Sequence, residues 1–159
     1  MRPDEDEHWL GAAIDLSRLS PSSPARYAVG AVVVGRDGDL LATGYTAEGD
    51  DHIHAEEAAL AKLGPEVDLG GATIYSSLEP CTMRRSRPYP CTTLILNYGI
   101  TRVVFGLREP EIFADCTGLE TLRANGVEVL ERSDLGRAVR LINAHLIKQD
   151  CDDRAALVE

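Results

Sequence analysis

The chain has 159 residues, of which 44% are hydrophobic and 26% charged. This predicts one globular domain with enough apolar content for a core without disulfide staples, and it excludes wholesale disorder. A formal net charge of −10 weighs against RNA or DNA as a partner, and no apolar run approaches the roughly 18 residues of a membrane span.

The opening segment, Met1 to His8, is acidic and has no apolar stretch of the kind an export signal needs. A cytoplasmic protein is therefore expected. Four cysteines, Cys81, Cys91, Cys116 and Cys151, are few for a disulfide framework. In a reducing compartment such cysteines tend to be buried, metal-bound or catalytic. Residues 5–19 carry apolar side chains at near-helical spacing behind an acidic first turn, which predicts a helix. Ser20-Pro21-Ser22-Ser23-Pro24 breaks it. Val29 to Val34 is a β-branched run, Gly35 to Asp39 a turn, and Leu40 to Tyr45 the second arm of a hairpin.

His54 to Leu63 is rich in Ala and Glu and stops at Gly64-Pro65, as a helix does. Strands are predicted at 72–76, 102–105 and 127–130, and helices at 91–98 and 117–125. A last amphipathic helix runs from Ser133, read as its N-cap, to about Lys148. The order α-β-β-α-β-α-β-α-β-α predicts a five-stranded mixed sheet with helices on both faces. The link between the fourth and fifth strands is too long for a hairpin and makes that pair parallel. One domain over 1–150 is expected, followed by an acidic tail over 151–159.

Three pieces of sequence carry chemistry: His54-Ala55-Glu56, Glu79-Pro80-Cys81 and Pro90-Cys91. One His and two Cys are ligand types that zinc prefers, and three protein ligands plus water is the composition of a catalytic zinc site. Taken singly, His54 is an ordinary helix-start residue and the two cysteines could bridge; taken together they favour Zn2+. Glu56, on the first turn beside His54, suits a proton carrier that does not itself bind the metal.

Other candidates surround this group. Arg84, Arg85 and Arg87 lie in the segment between the two cysteines. They suit either a phosphate clamp or a solvated loop that offsets the acidic surface. His52 suits substrate orientation or plain loop structure. Phe113 and Asp115 follow the fourth strand, at the end of an open α/β sheet where ligands bind. Arg26 and Tyr27 precede the first strand near the same end.

At Val29-Gly30-Ala31-Val32-Val33-Val34, His54-Ala55-Glu56 and Ser77-Leu78-Glu79-Pro80-Cys81 through Cys91, the sequence resembles the cytidine deaminase-like superfamily. Within it, the chain looks most like the pyrimidine deaminase domain of riboflavin biosynthesis. Nine residues separate the two cysteines, where the ordinary superfamily pattern has two. Two motifs of the riboflavin branch differ: Arg26 stands where an Asn is usual, and Arg108-Glu109-Pro110-Glu111-Ile112 replaces Asp-Pro-Asn-Pro.

The resemblance implies a three-layer α/β/α fold. It implies Zn2+ held by His54, Cys81 and Cys91, with Glu56 as proton shuttle. It also implies hydrolytic deamination of an amino-substituted heterocycle, as base, nucleoside or nucleotide, by a homodimer or homotetramer. The backbone near Leu78 and Glu79 would face the leaving amine, and the Glu79 side chain is either functional or a surface carboxylate on a turn. The competing readings are a non-catalytic, zinc-stabilised partner subunit and a deaminase of nucleic-acid bases.

Overall fold

The structure is a computed structural model and describes residues 3–82, 88–109 and 116–147. Five strands, β1 (Gly30–Val34), β2 (Leu40–Tyr45), β3 (Thr73–Leu78), β4 (Arg102–Leu107) and β5 (Glu128–Glu131), form one sheet in the order β2-β1-β3-β4-β5. β1 pairs antiparallel with β2 and β3, whereas β3–β4 and β4–β5 are parallel. This is the mixed sheet expected from a hairpin followed by βα units.

The central strands are buried on both faces, so their side chains alternate between two cores. Ala31, Val33, Ile74, Val103, Phe105 and Val129 pack with Ala59 and Leu60 of α2 (Ala55–Ala61), Ile95 of α3 (Cys91–Asn97) and Leu122 of α4 (Gly118–Ala124). Val32, Val34, Tyr75 and Val104 pack with Leu10, Ala13 and Ile14 of α1 (Pro3–Ser17) and Val139 of α5 (Gly136–Ile142). Three helices cover one face and two the other, giving three layers. Among the described residues no helix is long and apolar enough to cross a membrane.

Close helix–sheet approach is bought by small residues. A Cβ on Gly44 of β2 would lie 2.3 Å from the Ala55 carbonyl oxygen and 2.6 Å from the Ala59 nitrogen. Glycine there, facing Ala55, Ala58 and Ala59, lets α2 lie directly on the hairpin.

Some boundaries depart from the periodicity, among them those of α1, β3, β4 and the last helix. α1 ends at Ser17, and the N–H groups of Arg18, Leu19 and Ser20 bond three residues back as the chain tightens into a turn. β3 and β4 run two residues past their expected ends, to Leu78 and Leu107, which pair with each other. The expected unbroken helix from Ser133 is a 3-10 turn (Ser133–Leu135), then α5, then a break at Asn143 before helix resumes over 144–147. Ser133 is not its N-cap; it lies inside the 3-10 turn, and neither helix start has a side-chain cap bond.

The break has a physical cause. Asn143 is fully buried; its Oδ1 accepts from the Ala28 N–H (2.7 Å), and its Nδ2 donates to the carbonyls of Ala28 and Val139 (both 3.1 Å). One side chain thus satisfies both backbone groups of Ala28 and fixes the approach to β1. Asn143→Leu is expected to cost about 3 kcal/mol by stranding those groups, measurable by urea unfolding.

Candidate functional site

The hairpin ends at Tyr45, which pairs with Gly30 at the start of β1, and Ala31 pairs with Ser76 near the end of β3. The start of β1, the end of β2 and the ends of β3 and β4 therefore share one edge of the sheet. Sequence pieces some 25 residues apart meet there.

His54 is the N-cap of α2, in extended backbone (φ −86°, ψ 160°), and its N–H donates to the Glu57 side chain (3.3 Å). Cap geometry turns the His54 side chain off the helix end instead of along its flank. Cys81 follows Glu79-Pro80 after the end of β3, and Cys91 opens α3 behind the N-cap Pro90. The carbonyl of Cys81 accepts from both the N–H and the hydroxyl of Thr92 (3.1 Å each), and the Cys91 N–H donates to Cys81 Sγ (3.3 Å). These bonds lock the two cysteine segments side by side. Gly118 closes the same corner, since a Cβ there would lie 2.2 Å from the Pro80 carbonyl oxygen.

His54 Nδ1 lies 3.5 Å from Cys81 Sγ and 3.4 Å from Cys91 Sγ, and all three ligand atoms fall within 4.8 Å of one another. With Zn–S near 2.3 Å and Zn–N near 2.0–2.1 Å, a tetrahedral centre separates nitrogen from sulfur by about 3.6 Å. The trio therefore fits zinc, and among the described residues no fourth protein ligand joins it. Before a metal binds, the two sulfurs share one proton, and a zinc ion taking both as thiolates would expel it. The Cys91 thiol and then His54 lower Cys81 to about 4, making it the thiolate. The same sulfur–sulfur contact and full burial push Cys91 well above its ordinary value.

Glu56 is buried beside this group, on the first turn of α2. Its Oε1 lies 2.5 Å from Ser76 Oγ of β3. Ser76 was not legible as a site residue. The available signal was a pair of serines, Ser76-Ser77, inside an otherwise apolar strand, where β-branched and aromatic residues are favoured.

Glu79 is buried, not a surface carboxylate. It accepts from the backbone N–H groups of Glu109 (3.0 Å) and Leu119 (2.9 Å) and from Arg108 (3.3 Å), which also pairs with Glu120 (2.6 Å). Its oxygens are taken by protein donors, and they tie the segment before Cys81 to the end of β4 and the start of α4.

Glu109 is a second residue the sequence did not single out. Burial, with the Cys81 thiolate and Glu79 nearby, raises its carboxyl to about 7. A raised carboxyl binds its proton more tightly folded than unfolded, so its contribution to stability is lost as pH climbs from about 4.5 to 7. In metal-free protein, Glu109→Gln should therefore raise the melting temperature at pH 8 and leave it unchanged at pH 4.5, as thermal scans would show.

The remaining candidates divide. The Arg26 guanidinium donates to the Asp51 carbonyl, and the Arg26 carbonyl lies 3.0 Å from His145 Nε2, so Arg26 ties the approach to β1 to the turn that leads into His54. His52 is exposed in that turn, its N–H donating to Asp50 (2.9 Å). Tyr27 is buried in the core beneath α1 and α5. Arg84, Arg85, Arg87, Phe113, Asp115 and the expected tail over 151–159 lie outside the described residues.

Residues 3–107 match the family described as the cytidine and deoxycytidylate deaminase zinc-binding region. The diaminohydroxyphosphoribosylamino-pyrimidine deaminase of Schizosaccharomyces pombe is 36% identical over 135 residues, covering 83% of this chain and 33% of that protein. The cytosine deaminase of Candida albicans is 32% identical over 136 residues, or 82% of each chain. The crystal structure of a diaminohydroxyphosphoribosylaminopyrimidine deaminase/5-amino-6-(5-phosphoribosylamino)uracil reductase from Thermotoga maritima superposes with a TM-score of 0.75 at 32% identity, covering 92% of this chain and 42% of that one. The chain thus spans about a third of the length of the yeast protein and less than half of the bacterial one. By its sheet order, by the His-Cys-Cys group at the strand ends and by these matches, the chain belongs to the cytidine and deoxycytidylate deaminase family.

Proposed function

We propose that this protein hydrolyses the exocyclic C–N bond of an aminopyrimidine and releases ammonia, with a phosphoribosylated diaminopyrimidine as the preferred substrate. One observation carries the reading: a three-ligand group, His54, Cys81 and Cys91, with the buried carboxylate of Glu56 beside it.

Zinc held by those three residues would lower the pKa of a water from 15.7 toward about 7. Glu56 takes one proton from the attacking water as its oxygen adds to the carbon bearing the amine, and passes that proton to the ring nitrogen. It then takes the second proton from the newly added hydroxyl and passes it to the departing amine. The C–N bond breaks, a C=O bond forms, and ammonia leaves. The backbone at Leu78 and Glu79, braced by the Glu79 carboxylate, forms the wall on the amine side. Arg84, Arg85 and Arg87 offer guanidinium groups to the phosphate. A homodimer or homotetramer in the cytoplasm completes this reading; a monomeric mass by light scattering would contradict the assembly.

The likeness to the yeast and Thermotoga proteins supports the ribotide, and the likeness to the Candida enzyme makes free cytosine the rival. Ammonia release by zinc-loaded protein decides between them, using cytosine, cytidine, dCMP and the diaminopyrimidine ribotide with and without its phosphate. The ribotide phosphate should turn over fastest, and alanine at all three arginines should erase its advantage over the dephosphorylated form. Turnover of cytosine alone would replace the substrate. Silence across the panel with zinc bound would favour a non-catalytic partner subunit, and salt-dependent RNA binding would favour a nucleic-acid deaminase.

A further inference from the structure

We propose that Ser76 is a positioning residue for Glu56: its hydroxyl, on the central strand β3, fixes one carboxylate oxygen and so sets the direction in which Glu56 faces the His54–Cys81–Cys91 group. The proposal rests on the deaminase reading for its consequence in catalysis, and on the geometry alone for the contact.

Glu56 sits on the first turn of a helix only seven residues long. Short helices owe their order to tertiary packing, and a glutamate side chain has three torsions to fix. Its own element therefore does little to aim the carboxylate. β3 is different. It is the central strand, lying between β1 and β4 and paired on both sides, and so is a firmly held platform at this end of the sheet.

Ser76 is fully buried on that strand, and Glu56 is 4% exposed, so bulk water is not available to hold the carboxylate in place of the hydroxyl. Ser76 Oγ lies 2.5 Å from Glu56 Oε1 and 2.7 Å from the carbonyl oxygen of Leu78. A hydroxyl has one proton, so it donates to one of these acceptors at a time. Both acceptors lie within hydrogen-bond reach of that one oxygen. The same oxygen thus joins the proton carrier to the backbone of Leu78, the wall assigned above to the leaving amine. A serine in the middle of an apolar strand is costly unless its hydroxyl is used, and this contact uses it.

The test compares zinc-loaded wild type, Ser76→Ala and Ser76→Thr, with the phosphorylated diaminopyrimidine ribotide as probe and crystal structures of all three. Ser76→Ala should lower kcat about tenfold to a hundredfold, with KM and zinc content unchanged. Ser76→Thr, which keeps the hydroxyl, should restore most of the rate. In the crystals the Glu56 carboxylate should turn away from its wild-type direction in Ser76→Ala alone. A Ser76→Ala enzyme with wild-type kcat, or with its carboxylate unmoved, would overturn the proposal. Should wild type turn over no pyrimidine, the deaminase reading fails by itself, and the carboxylate direction in the crystals still decides whether Ser76 positions Glu56.

Discussion

Glu56→Gln is expected to lower kcat about 10²- to 10⁴-fold while zinc stays bound at one per chain. The two side chains have the same shape, and Gln keeps an oxygen that can accept from Ser76, so the fold and the metal ligands are undisturbed. What is lost is the ability to take protons from the water and the added hydroxyl and pass them to the ring nitrogen and the amine. Metal analysis and ammonia release on the same sample separate the two effects. Loss of zinc together with activity would place Glu56 among the ligands, and full activity would remove it from the mechanism.

Asp6→Ala is expected to cost about 3 kcal/mol of stability without touching the site. Asp6, in the first turn of α1, is 2% exposed; it takes both terminal nitrogens of Arg102 at 2.8 Å and the Tyr75 hydroxyl at 2.8 Å. It fastens α1 to β3 and β4. Removing it strands a guanidinium that is 14% exposed and still has Glu128 (3.5 Å) within reach, so the cost falls at the lower end for a broken buried pair.

Burial alone would raise the Asp6 carboxyl, but Arg102 and Tyr75 together hold it below its ordinary value of 3.8. A lowered carboxyl contributes stability above its unfolded pKa and loses it as pH falls through the folded one. The gap between wild type and Asp6→Ala, measured by urea unfolding, should be constant from pH 5 to 8 and close below about pH 4. A gap that widened in acid would contradict the assignment.

The sheet and its helices were readable because periodicity reports burial. The alternation of Ala31, Val32, Val33 and Val34 between two cores, and the clean stop of α2 before Gly64, are written in local pattern. The zinc group was readable because few residue types do that chemistry and they occur in the right order. The rest depends on partners distant in sequence. Nothing near Asn143 says that its side chain will bond both backbone groups of Ala28, 115 positions away. Nothing near Glu79 says that its carboxylate will be filled by Glu109 and Leu119. Ser76 reads as a weak strand residue until β3 is laid against α2. Tyr27, placed near the substrate by its position before β1, belongs to the core because α1 and α5 close over it.

The measurement closest to the centre of this account is X-ray absorption at the zinc edge of the full chain carrying one zinc. Two sulfur scatterers near 2.3 Å and two light scatterers near 2.0–2.1 Å are predicted, one of the latter being the His54 nitrogen and the other exchangeable water. A shell of four protein ligands would make the site closed and structural, and a protein that takes up no stoichiometric zinc would contradict the account outright.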